Sequence, residues 1–132
     1  MTEPVWLSPE QLIEINRNLV ADTGETFFVR DLALLESAAA SPQNHFHYTA
    51  QANIVELGVR LMIAIAQNHP FEQGNKRTAF MGMVLFFGFN GYELNLSDTD
   101  YLGRCVERII EKTMSETEFL AIVSEFAEPS SD

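Results

Sequence analysis

The chain has 132 residues, and 19 acidic against 8 basic side chains give it a formal net charge of −11. This length predicts one domain, spanning residues 1–132, with room for a core but not for a second domain. A strongly acidic chain repels phosphate backbones, which argues against direct binding of nucleic acid. The short polar ends, Met1 to Pro4 and Glu128 to Asp132, are expected to fray.

Cysteine content and hydropathy predict a cytoplasmic protein without membrane contact. Cys105 is the single cysteine, so no internal disulfide can form, and its position on an apolar stripe predicts burial. The longest apolar run, Ala79 to Phe89, is too short to cross a bilayer.

Capping residues bound the first two predicted helices. Ser8, Pro9 and Gln11 form a helix-start signature, and Gly24 stops the helix that follows. Asp31 is expected to cap a second helix.

Pro42 is expected to end that second helix. The segment from Gln43 to Thr49 lacks a helical period and therefore predicts an exposed loop or a short hairpin. Its ring-bearing side chains are His45, Phe46, His47 and Tyr48.

The two most apolar helices come next. Apolar residues recur at helical spacing from Ile54 to Ile65, which predicts a buried central helix ending before Pro70. A second apolar helix is predicted from Lys76 to about Phe89, with Asn90-Gly91 as its left-handed stop.

Two further helices and two candidate strands complete the pattern. Ser97 starts one helix, and Ser115 with Glu118 forms a capping box for the last. The candidate strands are Thr26 to Val29 and Tyr92 to Leu96. The predicted fold class is all-α, a compact helical bundle with a flap or hairpin before the central helix.

A polar segment, N-H-P-F-E-Q-G-N-K-R at residues 68–77, lies between the two most apolar helices. A loop that enters a helix presents unpaired N–H groups and the positive end of the helix dipole, which together attract anions. Gly74 allows a close backbone approach, and Lys76 and Arg77 add positive charge. Phosphate is the natural ligand of such a loop.

His69 is the neighbouring side chain best suited to accept a proton from a hydroxyl near neutral pH. A base beside a phosphate site points to phosphoryl or nucleotidyl transfer, usually with a divalent metal. Structural interpretations are equally open from the residues alone: Asn75 or His69 could cap a helix, Arg77 could pair with an acidic neighbour, and Phe71 plugs the core either way.

The segment closely resembles the motif of the Fic/Doc family, H-x-F-x-[D/E]-[A/G]-N-[K/G]-R. The likeness extends over nearly the whole chain, and the agreeing motif residues are His69, Pro70, Phe71, Gly74, Asn75, Lys76 and Arg77. Lys76 is typical of the Doc branch, because Fic adenylyltransferases usually carry glycine there and a second arginine at the position of Phe80.

The resemblance implies a role for each part of the site. These roles are His69 as general base, Gly74 and Asn75 as the anion nest, Lys76 and Arg77 as ligands of donor phosphates, and Phe71 as the core anchor of the loop. The segment from Gln43 to Tyr48, with His45, Phe46, His47 and Tyr48, would be the flap that aligns a target by strand addition. The two histidines are expected to be solvent-exposed rather than metal-binding.

The family's acidic metal ligand falls on Gln73, whose neutral amide is expected to bind Mg²⁺ more weakly. Many Fic proteins also carry an inhibitory helix of the form [S/T]-x-x-x-E-[G/N]. Ser124 to Glu128 matches its first five positions, but Pro129 follows, so we interpret the match as chance.

By resemblance, the chain is expected to be a Doc-like toxin that moves a phosphoryl group from ATP, or another nucleoside triphosphate, with Mg²⁺ to a hydroxyl of a target protein. A translation factor is a plausible target, and an antitoxin with a basic tail a plausible partner. Two alternatives stay open: transfer of AMP, or a non-catalytic nucleotide-binding protein, the latter because of Gln73.

Overall fold

A computed structural model describes residues 3–49, 52–95 and 99–131. These residues form six helices and one two-stranded sheet, which agrees with the predicted all-α class. The elements are α1 (Pro9–Thr23), α2 (Leu32–Tyr48), α3 (Ile54–Asn68), α4 (Asn75–Phe89), β1 (Tyr92–Leu94), α5 (Thr99–Ile110), α6 (Glu116–Phe126) and β2 (Ala127–Pro129). None of the helices in these ranges is long and apolar enough to span a bilayer.

The predicted starts of the first two helices are confirmed. Ser8 Oγ accepts a hydrogen bond from the amide of Gln11 at 3.1 Å, and the Gln11 side chain accepts one from the amide of Ser8 at 2.8 Å. Gly24 ends α1 in the left-handed region at φ 73°. Asp31 caps α2 by accepting from the amide of Leu34 at 3.0 Å.

Helix α2 corrects the prediction of a loop or hairpin at Gln43 to Thr49. It continues through Pro42 to Tyr48, although a proline inside a helix removes one backbone hydrogen bond. Tertiary packing offsets that loss. Pro42 is buried, and Phe46 contacts the ring of Trp6 at a centroid distance of 5.6 Å. The prediction was wrong because the contacts that stabilise this part of α2 are tertiary and leave no helical period in its residues.

The centre of the fold is the pair α3 and α4, the two helices that flank the polar segment. Helix α3 ends at Asn68, just before His69-Pro70, as predicted. A Cβ on Gly58 of α3 would overlap the Phe87 ring of α4, so this glycine permits the close approach of the two helices. Gly91 takes the left-handed conformation after α4, at φ 80°.

The carboxyl-terminal region forms a small sheet instead of a frayed tail. β1 pairs antiparallel with β2, and Glu93 is the register partner of Glu128. β1 at Tyr92–Leu94 lies within the candidate strand Tyr92 to Leu96, whose last residue is outside the described residues. β2 is too short and polar to be recognised from its residues. The candidate strand Thr26 to Val29 contributes a single bridge, between Val29 and Phe71.

The last two helices, α5 and α6, agree with the predictions that fall on described residues. Ser115 and Glu118 form the predicted capping box of α6. Cys105 of α5 is 2% exposed, as its apolar stripe predicted. The predicted start of α5 at Ser97 lies outside the described residues.

Candidate active site

The polar segment is a tight connection between the two central helices, and two left-handed residues define its shape. His69 follows α3 at φ 48°, and Gly74 precedes α4 at φ 77°. A Cβ on Gly74 would lie 3.0 Å from Asn16 Nδ2 and 3.1 Å from Val20 Cγ1. Glycine is therefore favoured at residue 74 by the backbone angle, and a Cβ there would also require its neighbours to shift by a few tenths of an ångström.

A short extended segment after α1 fixes the outer side of this connection. Val29 bridges to Phe71 in antiparallel fashion. The amides of Arg30 and Asp31 both donate to the carbonyl oxygen of Pro70, at 2.8 and 3.1 Å. The backbone between the two helices is thus held by a second chain segment rather than by its own turn alone.

Arg30 also holds the backbone of the candidate base. Its guanidinium donates to the carbonyl oxygen of His69. The His69 amide donates to Ile65 in the last turn of α3, at 3.2 Å. With its backbone fixed on both sides, the exposed imidazole of His69 projects from a defined position.

The side chain of Asn75 closes the connection internally. Its Oδ1 accepts from the amide of Phe71 at 2.9 Å, and its Nδ2 donates to the carbonyl oxygen of Phe71 at 2.8 Å. Phe71 itself is 0% exposed, as an anchor in the core requires. Asn75 therefore shapes the loop through its side chain.

The residues predicted to bind phosphate lie together around one cavity of about 510 Å³. The motif supplies one wall and α5 with the residue after it supplies the other. The cavity is lined by His69, Glu72, Gln73, Gly74, Asn75, Lys76, Arg77, Glu107, Ile110 and Glu111. The candidate base, the candidate phosphate ligands and the position of the family's metal ligand thus share one cleft.

The amino terminus of α4 faces this cleft. Gly74 occupies the N-cap position and provides no side-chain hydrogen bond to the helix. The first amides of a helix lack partners within it and carry the positive end of its dipole. An anion bound here would supply the missing acceptor.

Both cations of the cleft are paired with carboxylates from other elements. Lys76 Nζ lies 2.7 Å from Glu107 Oε1 of α5, and the Arg77 guanidinium bonds to Glu25 Oε1 just after α1. Each pair is about one third to one half exposed. The structural interpretation of Arg77 as the partner of an acidic neighbour is therefore correct, alongside its position in the cleft.

These contacts lower the pKa of both carboxyl groups. The pKa of Glu25 is lowered first by a hydrogen bond from the Thr23 hydroxyl and then by the Arg77 guanidinium. The pKa of Glu107 is lowered chiefly by the hydrogen bond from Lys76.

The metal donors of the cleft are limited. Gln73 offers a neutral amide, Asn75 Oδ1 already accepts from the Phe71 amide, and the remaining side-chain oxygen ligands of the cavity wall are the carboxylates of Glu72, Glu107 and Glu111. Across residues 3–49, 52–95 and 99–131, no three acidic, histidine or cysteine side chains converge to hold a metal ion. The described residues thus do not form a magnesium site built from protein ligands alone.

Phe80 lines an apolar pocket of about 320 Å³ that adjoins the main cleft. The two pockets share Lys76, Arg77 and Glu107. An apolar wall thus occupies the position where the resemblance places the second arginine of Fic adenylyltransferases.

The predicted flap residues lie away from this cleft. None of His45, Phe46, His47 and Tyr48 is among the described residues that line it. Their backbone is helical, so it cannot pair with a target by strand addition. His45 is only 22% exposed and lies 2.7 Å from Glu56, whereas Tyr48 is 93% exposed. Contact of exposed side chains here with a target stays a prediction.

The segment that matches the inhibitory pattern also lies away from the cleft. Ser124 bonds back to Leu120 within α6, and Glu128 belongs to β2. Neither residue lines the cavity among the described residues.

Besides Arg30, three contributors to the site were not identified from the sequence. Asn16 of α1 donates through Nδ2 to Gln73 O at 2.8 Å and to Thr78 Oγ1 at 3.0 Å. Its position on an otherwise apolar helix face was a usable signal, because a buried amide needs hydrogen-bond partners. Glu25 and Glu107 gave no signal of this kind, since acidic residues are common throughout the chain.

Comparison with known proteins matches this architecture. A profile of the Fic/DOC family matches residues 6–87, which is more than half of the chain. The toxin Doc of Mycolicibacterium smegmatis is 36% identical over 67 residues, which cover 50% of this chain and 52% of that protein. The protein kinase doc of Escherichia phage P1 is 27% identical over 88 residues, or 67% of this chain and 70% of that one.

The chain therefore spans about half the length of the Mycolicibacterium smegmatis toxin and 70% of the phage P1 protein. The family profile includes the whole polar segment, helices α1 to α3, and α4 up to residue 87. The chain belongs to the Fic/DOC family.

Proposed function

We propose that this chain is a Doc-like toxin that transfers the γ-phosphoryl group of ATP, or of another nucleoside triphosphate, to a hydroxyl of a target protein. The observation that carries the proposal is the single cleft in which His69 lies with Lys76, Arg77 and the uncapped start of α4. The names of the two relatives, a toxin and a protein kinase, support the same reaction class.

The residues of the cleft supply what phosphoryl transfer needs. The imidazole of His69 accepts the proton of the target hydroxyl. The hydroxyl oxygen then bonds to the γ-phosphorus, while the bond from that phosphorus to the β–γ bridging oxygen breaks and ADP leaves. The α4 amides, Lys76 and Arg77 hold the phosphates and offset the charge on the transferring group.

Magnesium is the expected companion of the triphosphate. It is commonly bound through substrate phosphates with only one or two protein ligands. Gln73 is the residue that we expect beside it, and the ion would stabilise negative charge on the phosphates.

An antitoxin is the proposed partner, and a translation factor a plausible target. The net charge of −11 favours a basic segment in whichever partner covers the cleft.

The test is transfer of label in a bacterial lysate with Mg²⁺ and ATP labelled at either the α or the γ phosphate. The wild type is compared with His69→Ala and with Gln67→Ala, an exposed residue of α3 that does not line the cleft. A γ-labelled band that needs His69 but not Gln67 supports the proposal. An α-labelled band with the same dependence would instead establish transfer of AMP.

A non-catalytic nucleotide-binding role is the second candidate, favoured by the neutral Gln73 in the cleft. It predicts ATP binding in calorimetry together with no labelled band from the wild type or from Gln73→Asp. Recovery of a band by Gln73→Asp would assign the missing activity to the lost carboxylate.

A further inference from the structure

The two cations of the cleft are each paired with a carboxylate in the structure described here. Lys76 bonds to Glu107 at 2.7 Å, and Arg77 bonds to Glu25. The carboxylates come from opposite sides of the motif, one from α5 and one from the residue that follows Gly24. An anion that enters therefore competes with a carboxylate at each cation that it binds.

Two hydrogen bonds besides its ion pair hold Glu25 in place. Its amide donates to the carbonyl oxygen of Val20 at 2.9 Å, which ties its backbone to the end of α1. The Thr23 hydroxyl donates to the same carboxylate oxygen that Arg77 contacts. A carboxylate held by both its backbone and a hydroxyl is presented to Arg77 with little freedom left to lose.

The remaining charges of the cleft wall add to this effect. Glu72 and Glu111 also line the cavity, so its wall carries more acidic than basic side chains. A single phosphate that binds one cation would still be repelled by the carboxylates of the cavity wall. A polyphosphate contacts both cations and the α4 amides at once, and so gains several charge-assisted hydrogen bonds in one binding event.

We propose that Glu25 and Glu107 are specificity-determining residues that compete internally for Arg77 and Lys76, so that the cleft rejects small anions and accepts a polyphosphate. This inference rests on the proposed function, because it assigns the selectivity of the same phosphate site. The half-exposed geometry of both pairs suits the role, since exposed ion pairs are weak enough to be exchanged.

The test measures binding of ATP and of inorganic phosphate by calorimetry at fixed ionic strength. The variants are Glu25→Gln, Glu107→Gln and the double variant. Each glutamine keeps the size and the hydrogen-bond acceptor of the side chain but removes its charge. Glu111→Gln is the matched control, because it removes the same charge from the same cavity but leaves the Lys76–Glu107 and Arg77–Glu25 ion pairs in place.

We expect each substitution of a paired glutamate to tighten phosphate binding by about two- to fivefold, and the double variant by more. ATP should gain less than phosphate, and Glu111→Gln should change either ligand less than the paired variants do. Thermal melts of all variants verify that the fold is kept.

The outcomes separate the two proposals. If ATP binds the wild type but the paired variants gain no more than Glu111→Gln, the internal competition is refuted and the proposed function stands. If the wild type binds no ATP but the double variant does, the competition is supported. If no variant binds either ligand, both proposals fail.

Discussion

Asn16 and Gln73 are 57 residues apart in the chain, yet the Asn16 amide nitrogen lies 2.8 Å from the Gln73 carbonyl oxygen. The same nitrogen donates to Thr78 Oγ1 at 3.0 Å, so one buried side chain of α1 joins the motif loop to the first turn of α4. Its Oδ1 has no hydrogen-bond partner among the described residues. Only the donor half of this amide stabilises the site.

Asn16→Asp tests that relationship directly. Aspartate keeps the size of the side chain but replaces the donating NH₂ by an acceptor that faces the carbonyl oxygen of Gln73, and it places a carboxyl group in a buried position. We expect a loss of about 1–3 kcal/mol in the free energy of unfolding, measured with urea. ATP affinity should also fall, because the loop would lose its tie to α1. An Asn16→Asp protein as stable as the wild type would contradict the bridging role.

Gly74→Ala tests the requirement for glycine at the start of α4. The backbone at φ 77° and the neighbours at 3.0 and 3.1 Å both oppose a side chain. Gly91→Ala is the matched control, because Gly91 has φ 80° and open space around it. We expect a cost of about 1–2 kcal/mol for Gly91→Ala and a larger one for Gly74→Ala in denaturant unfolding. Equal losses in the free energy of unfolding for the two variants would mean that the neighbours of Gly74 move aside without an energetic cost.

Asn75→Ala tests whether this residue shapes the loop. Removing the amide leaves both the N–H and the carbonyl of Phe71 without their partner, at a cost of about 1–2 kcal/mol. The Phe71 amide should then exchange its hydrogen faster in the native state. Asn75→Asp keeps the acceptor for that amide and should protect it better than alanine does. Unchanged exchange in Asn75→Ala would argue against the closure.

Much of this fold could be predicted from local signals. Ser8, Asp31 and Ser115 act within a few residues of themselves, so their capping roles are encoded in adjacent sequence. Pro42 was misjudged because its helix is stabilised by Phe46 against Trp6, a contact between distant parts of the chain. Local propensity predicts a helix end at such a proline, and tertiary packing overrides it.

The candidate site divides in the same way. The motif loop was identifiable because its polar residues interrupt two apolar helices. The partners of its cations could not be identified from the sequence, because Glu25 is 52 residues from Arg77 and Glu107 is 31 residues from Lys76. No local pattern distinguishes these two glutamates from the other acidic residues of the chain.

Gln73→Asp tests the effect of the missing charge at the metal position. Affinity for a hard cation rises with the charge of its oxygen ligands, so the aspartate should increase the dependence of ATP binding on Mg²⁺ by roughly tenfold. The measurement compares ATP dissociation constants with Mg²⁺ and with EDTA. Gln73→Asn is the control, because it shortens the side chain equally without adding charge. The same Mg²⁺ dependence in both variants would place the ion elsewhere.

The two capping boxes differ in whether their closing side chain can ionise, so they allow a comparison of how stability depends on pH. The box of α1 uses the neutral Gln11, whereas the box of α6 uses Glu118, whose pKa is lowered first by a hydrogen bond from the Ser115 backbone and then by the Ser115 side chain. A lowered pKa in the folded state means that Glu118 stabilises the protein at neutral pH, above its unfolded pKa. That stabilisation is lost as the pH falls through the folded value.

Glu118→Gln should therefore flatten the acid side of the stability curve, while the neutral side chain keeps the box closed as Gln11 does in α1. The measurement is the urea midpoint of the wild type and the variant between pH 3 and pH 7, a window that spans the ordinary carboxyl range. The wild type should lose more stability than the variant across the acid half of that window. Parallel curves would show that Glu118 does not contribute to acid unfolding.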